Sequence, residues 1–186
     1  MTRIVEIFFC IILLIILLPF LLIIFTLIKL DSNGPTFFIS NRVGKEGIQF
    51  KMIKFRTMFV NTEIVESNRI EDVNLKITKI GKILRRYSID EIPQLFNIIK
   101  GEMSFVGYRP SLLTQYELNE KRKHLNINKF KPGITGLAQI SGRDLISIEK
   151  KIELENEYLI KKNFLFDLII VLKTIKVVLV KKGISH

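Results

Sequence analysis

The chain has 186 residues, 48% of them hydrophobic, and carries 29 Lys and Arg against 18 Asp and Glu, a formal net charge of +11. That length allows one domain besides whatever enters a membrane. Cys10 is the single cysteine, so disulfides within the chain and a cysteine-based metal site are excluded, and neither His124 nor His186 has neighbours that suggest a catalytic triad. A greasy and basic chain suits the anionic surface of a cytoplasmic leaflet, where each nearby Lys or Arg contributes about 1 kcal/mol. The positive excess is spread along the chain rather than gathered in an aromatic-studded motif, which argues against nucleic acid as the partner. Phosphate loops of the GxxxxGK type and GxSxG elbows are absent.

Residues Ile7 to Ile28 carry no charged side chain, are interrupted by Pro19 and are bounded by Glu6 and Lys29. The run is too long for a cleaved signal peptide and no small-residue cleavage site follows it. Pro19 divides it into helical lengths of about 22 Å (Ile4 to Leu18) and about 16 Å (Phe20 to Leu30). Together they could cross a bilayer core, which needs about 20 apolar residues. A break at Pro19 would instead let the chain enter and leave by one face, keeping Arg3 on the side of the basic body. The expected division is a membrane-inserted segment over 1–30 and a catalytic domain over 31–186.

A turn cluster, Asp31 to Pro35, leads into two strands, Thr36 to Ser40 and Gln49 to Met58, joined through Gly44 and Gly47 by a loop longer than a tight hairpin. Period-2 alternation puts Phe50, Met52, Lys54 and Arg56 on one face, so that Lys54 and Arg56 either hold a diphosphate side by side or form a solvated face. Asn61 to Asn74 reads as a polar, acidic surface segment. Lys76 to Tyr87 sets Ile77, Ile80, Ile83 and Leu84 opposite Lys79, Lys82, Arg85 and Arg86, the pattern of an amphipathic helix.

The densest chemistry lies between Arg85 and Pro110. Asp90 and Glu91 are adjacent carboxylates with arginines on both sides in sequence. Pro93 at a first helical position would set both acids ahead of the helix, facing its positive end. The alternative is a capping box of Ser88 with Glu91, which puts Pro93 inside the helix at a cost of about 3 kcal/mol. On these residues alone the acids either cap the helix or do chemistry. Arg109, in a short loop after Gly107, offers a fork that suits phosphate.

Leu112 to Asn128 reads as a charged helix, Pro132-Gly133 and Gly136 as a turn-rich loop, and Ile148 to Lys162 as another charged helix. Phe164 to Val180 is apolar but includes Asp167, Lys173 and Lys176, too many charges for a comfortable span. It suits an amphipathic helix lying in the interface with its lysines snorkelling, or a core helix of the soluble body.

Gly34-Pro35-Thr36-Phe37-Phe38, Arg42-Val43-Gly44, Phe50 to Met58 with its Lys54-Phe55-Arg56, the Asp90-Glu91 block, Arg109-Pro110 and Pro132 to Gln139 occur in an order that resembles the bacterial sugar transferases, the monotopic phosphoglycosyl transferases. The likeness covers nearly the whole chain. It implies an α+β fold, mainly helical with a short β-hairpin, an N-terminal re-entrant helix and interfacial amphipathic helices, at the cytoplasmic face of a bacterial inner membrane. The family commonly has Ser before the membrane proline, where this chain has Leu18, and proline where Tyr108 stands. The resemblance implies transfer of a sugar-1-phosphate from a UDP-sugar to polyprenyl phosphate, with Asp90 as nucleophile and Glu91 holding Mg²⁺. It implies substrate contacts for Lys54, Arg56, Arg85, Arg109, Gln139 and Arg143. A metal-dependent diphosphate hydrolase with water as acceptor, and a basic membrane adaptor with no activity, are the other classes these features admit. The transferred sugar, the glycan pathway and the oligomeric state have no signature in the sequence.

Overall fold

The computed structural model describes residues 3–62, 73–142 and 145–180. Helix α1 (Arg3–Asp31) is a near-continuous run of Leu, Ile and Phe, and at 1.5 Å per residue it is about 43 Å long. It stays helical through Pro19. The interruption expected there thus involves no non-helical residue; proline withholds one N–H, and an apolar setting strongly penalises freeing any further backbone groups. Both ends of α1 are held by the body. Near its start Arg3 donates to the backbone carbonyls of Ile98 and Ile99, and Ser104 donates to Glu6. At its end Asp31 accepts from the Ile80 amide at 2.9 Å. The middle, Ile15 to Leu18, is largely exposed.

Strands β1 (Phe37–Val43) and β2 (Gln49–Phe55) form the expected antiparallel hairpin, with Ser40 opposite Met52 and Arg42 opposite Phe50. Phe50 and Met52 pack with Cys10, Leu95, Ile98 and Met103, which seats the first half of α1 under the hairpin. Phe55 packs with Ile24, Ile28 and Leu84, which seats the second half. Asn97 locks the next helix, α4 (Leu95–Lys100), to β2: it accepts from the Ile53 amide and donates to the Lys51 carbonyl.

The amphipathic helix forms as α3 (Lys79–Arg86), after the single turn α2 (Val73–Lys76). Thr78 caps α3, its hydroxyl accepting from the Gly81 amide at 3.0 Å. A Cβ on Gly81 would lie 2.1 Å from the Thr57 carbonyl oxygen; α3 approaches the chain after β2 more closely than any side chain would permit. Most of the acidic stretch from Asn61 to Asn74 lies outside the described residues.

The C-terminal half is built on a two-stranded parallel pair absent from the sequence expectation, β3 (Ser104–Val106) with β4 (Gly133–Thr135). Each strand is three residues long, too short for alternation to reveal. The chain after β3 lies against Pro132 and Gly133 so closely that a Cβ on Gly107 would sit 2.5 Å from the Lys131 carbonyl oxygen. Helices α5 (Tyr116–His124), α6 (Leu137–Ile140) and α7 (Ile148–Lys161) pack around this pair, with the Ser147 hydroxyl capping α7. Helix α8 (Phe164–Val180) buries Asp167, which accepts from the Tyr158 hydroxyl at 2.7 Å, and Ile170. Phe164, Leu165, Leu168, Leu172, Ile175 and Leu179 remain exposed on α8. A helix that buries a polar group and exposes its leucines presents an apolar face that the described residues leave uncovered.

Candidate active site

The carboxylates sit in neither of the two arrangements expected from sequence. Ile89 to Gln94 form a 3-10 turn that includes Pro93, and the α-helix proper begins at Leu95. Ser88 makes no side-chain cap; it adopts a left-handed backbone, φ 53°, uncommon for serine. That residue turns the chain sharply after α3 and lays Asp90 and Glu91 over β2. The turn is held by bonds of the i to i+3 kind, such as Glu91 N to Ser88 O at 3.2 Å.

Four cations converge on the two acids. Lys54 of β2 donates to Glu91 Oε1 at 2.9 Å, and Arg109 reaches the same oxygen at 3.2 Å. Arg85, at the end of α3, is steadied by donating its Nε to the Thr57 hydroxyl at 2.9 Å and is electrostatically coupled to Asp90. Arg42 of β1 donates to the Ser40 hydroxyl at 3.2 Å and feels both Glu91 and Arg109. Asp90 and Glu91 are both buried. Among the described residues, two negative charges lie with four positive ones, an excess of two held largely out of water.

Burial is the largest influence on the titration of Asp90, Lys54, Arg42 and Arg85. It pushes the Asp90 carboxyl above the usual carboxylate range; Lys54 pulls the other way, and Glu91 adds to the rise. Burial lowers Lys54, against the pull of Glu91. It brings Arg42 down to about 10, with Arg109 adding to the fall. Arg85 is lowered for the same reason, and Asp90 opposes the change. A cluster with excess positive charge, desolvated and aimed at one place, has the electrostatics of a phosphate site.

Of the residues expected to bind substrate, Lys54, Arg85 and Arg109 are brought to the carboxylates. Arg56 is not: the strand ends at Phe55, and the Arg56 guanidinium turns away to donate to the carbonyls of Ser32 at 2.7 Å and Asn33 at 2.6 Å. It fastens the turn after α1. Gln139, on α6, is buried beside Gly136, and neither its Oε1 nor its Nε2 has a hydrogen-bond partner. Arg143 lies outside the described residues. Arg42 is the addition. It falls on the same hairpin face as Ser40, Met52 and Lys54, a relation that alternation yields once the pairing register is known.

Among the described residues no three His, Cys, Asp or Glu side chains gather as a ready-made metal cage. The donor set still suits Mg²⁺, which is commonly held by one or two carboxylates together with substrate phosphates and water. Asp90 and Glu91 would be that pair of carboxylates, with a diphosphate among the surrounding cations.

A family model described as "Bacterial sugar transferase" matches residues 1–181. The uncharacterized sugar transferase EpsL of Bacillus subtilis is 42% identical over 170 residues, covering 89% of this chain and 81% of the relative. The galactosyl transferase CpsE of Streptococcus agalactiae is 40% identical, covering 82% of this chain but 36% of its own length. A protein of Aeromonas hydrophila named UDP-N-acetylgalactosamine-undecaprenyl-phosphate N-acetylgalactosaminephosphotransferase is 36% identical, covering 89% of this chain and 40% of the relative. The chain thus spans most of the first relative and less than half of the other two. With a family match over nearly its whole length, the chain belongs to the bacterial sugar transferases, enzymes of sugar-phosphate transfer.

Proposed function

We propose that the chain transfers a sugar-1-phosphate from a UDP-sugar to undecaprenyl phosphate or a similar polyprenyl phosphate, releasing UMP. The observation that carries this reading is the buried cluster of Asp90 and Glu91 among Lys54, Arg85, Arg109 and Arg42, with its excess of two positive charges. Relatives named for transfer to undecaprenyl phosphate from UDP-N-acetylgalactosamine or UDP-glucose support the choice of donor and acceptor.

The Asp90 carboxylate forms a bond to the phosphorus that bears the sugar, and the bond from that phosphorus to the bridging oxygen breaks, so UMP departs with the electron pair. A phosphate oxygen of the polyprenyl acceptor then attacks the same phosphorus and returns the carboxylate. The covalent stage divides one difficult displacement into two. Desolvation makes the ionised Asp90 more basic than an ordinary aspartate. Lys54 and Arg109 hold Glu91 in position, while Arg85 and Arg42 offset the charge gathering on the phosphates. Mg²⁺, held by Glu91 and the diphosphate with Asp90 adjacent, would supply further positive charge to the phosphoryl oxygens.

The acceptor's tail stays in lipid and the donor stays in water, so the reacting phosphorus belongs at their boundary. Among the described residues one helix, α1, is long and apolar enough to cross a membrane. Its two ends are nonetheless both fastened to the same body, through Arg3 and through Asp31. A helix whose ends return to one body favours monotopic insertion over a span, with the exposed leucines of α8 resting in the cytoplasmic interface of the inner membrane. Surface glycan assembly is the class of pathway such a product would serve.

The test is a screen of UDP-sugars with polyprenyl phosphate and Mg²⁺, reading UMP release. Multiple-turnover release that requires the lipid acceptor is expected with at least one donor, with no more than one equivalent of UMP per enzyme in its absence. Release of free sugar phosphate without lipid would instead identify a diphosphate hydrolase, and no release with any donor would leave the adaptor reading.

A further inference from the structure

Arg85 reaches the carboxylates from the last turn of α3. An arginine side chain is long and rich in rotamers, so a helix alone does not fix where its guanidinium lies. Thr57, 28 positions earlier in sequence, does: its hydroxyl accepts from Arg85 Nε at 2.9 Å. Thr57 is buried, and Arg85 is half-buried. The bond occupies the inner nitrogen of the guanidinium. Among the described residues the outer two, Nη1 and Nη2, have no hydrogen-bond partner, and the charge they share is felt by Asp90.

The anchor is itself held on both sides. Before it, Arg56 N donates to Thr36 O at 2.8 Å, and the Arg56 guanidinium grips the carbonyls of Ser32 and Asn33. After it, Met58 is bridged to Ile77. Thr57 also meets the start of α3, its carbonyl accepting from the Thr78 amide at 3.0 Å. Gly81 and Arg85 lie one turn apart on one face of α3, and a helical side chain leans toward the N-terminus of its helix. The bare glycine lets that face close on Thr57, and the Arg85 side chain lies back over it. One residue thus holds the helix by backbone at its start and by side chain at its finish.

The same chemistry recurs at Arg42, whose Nε donates to the Ser40 hydroxyl at 3.2 Å. Ser40 and Arg42 are neighbours on one face of a strand, a contact that the pleat provides. The Thr57 contact instead exists only because α3 docks where it does. Docking has other ties, since Asp31 accepts from the Ile80 amide and Thr78 donates to the Thr57 backbone. The hydroxyl is therefore additional to what fastens the helix, and its partner is a cation of the cluster.

We infer that Thr57 is a positioning residue for the phosphoryl transfer, its hydroxyl setting the Arg85 guanidinium so that the outer nitrogens meet the charge developing on phosphate beside Asp90. The inference rests on the transferase reading and deepens it by naming the group that aims one of its cations. Donors fixed in advance stabilise developing charge without reorganising during the reaction, and a small displacement of such a group is costly to rate.

Thr57→Val removes the hydroxyl with little change of volume and keeps the backbone contact with α3, whereas Thr57→Ser keeps the hydroxyl. Steady-state UMP release per folded enzyme is measured for the wild type and for each variant, alone and combined with Arg85→Met. Thr57→Val is expected to lower kcat by about tenfold or more while the donor KM stays within about twofold. Thr57→Ser should remain within about threefold of the wild type, and Thr57→Val should have no further effect once Arg85 is replaced. An unchanged kcat in Thr57→Val, an equal loss in Thr57→Ser, or a loss by the same factor in the Arg85→Met background overturns the inference and leaves the transferase reading intact. Absence of UMP release by the wild type with every donor overturns both.

Discussion

Two groups of buried charges do opposite work in this chain. Between α5 and α7, Arg122 and Glu155 form a bidentate pair in which one positive charge meets one negative charge, both side chains 3% exposed. Around the 3-10 turn, four cations meet two carboxylates. The matched pair cancels its own charge and ties two helices together. The mismatched cluster, counted over the described residues, keeps the positive charge that the proposed function assigns to the substrate phosphates. Burial alone does not mark a site; buried charge that does not cancel does.

The largest expected effect is on chemistry. Asp90→Asn should lower UMP release on the order of 10⁴-fold or more while leaving the fold intact; normal turnover by this variant would remove Asp90 as nucleophile. Next is the matched pair. Arg122→Ala or Glu155→Ala leaves an uncompensated buried charge and should cost about 3–5 kcal/mol in a denaturant titration, whereas replacing both with apolar residues of similar volume should recover most of it. Additive losses in the double variant would contradict the pairing.

In the mismatched cluster the sign for stability should reverse. Arg42→Gln relieves repulsion from Arg109 and should leave stability within about 1 kcal/mol of the wild type, or above it. UDP binding should nevertheless weaken by about 10- to 100-fold, since one charge-assisted contact is lost. A large loss of stability would mean that Arg42 supports the fold rather than the ligand.

The smallest effect is in the pH profile. Asp90 must be ionised to attack, and burial raises its pKa, so kcat/KM should begin to fall on acidification at a pH above the ordinary aspartate value of about 3.9. The linked stability has the opposite sense. A carboxyl with a raised folded pKa favours the folded state at low pH and loses that contribution as pH rises through the folded value. Glu91→Gln should shift the alkaline limb to lower pH, because Lys54, already lowered by burial, loses the carboxylate that opposes the fall.

The division between these regions was only partly legible in sequence. Asp90, Glu91 and Arg109 stood out as adjacent acids and a loop arginine. The hairpin and the charged and apolar helices were readable from periodicity. Lys54 and Arg56 looked equivalent, two residues apart on one strand face. They separate because β2 ends at Phe55, and beyond it the turn after α1 offers Arg56 two carbonyls. Alternation describes a strand only as far as the strand continues. Arg42 carries no local signal of a role, since its proximity to the acids depends on a pairing register set across a five-residue loop. The Arg122–Glu155 pair joins residues 33 positions apart, and no local pattern announces it.

The central claim is that the aspartate of the unbalanced cluster takes up the sugar phosphate. It is tested most directly by incubating the protein with a productive UDP-sugar and Mg²⁺, without polyprenyl phosphate, and mapping the adduct by peptide mass spectrometry. The account predicts a hexose-phosphate increment on the peptide containing Asp90, lost on adding polyprenyl phosphate and absent from Asp90→Asn. An increment on another residue, or UMP formed only when both substrates are present and with no adduct at any time, would contradict it.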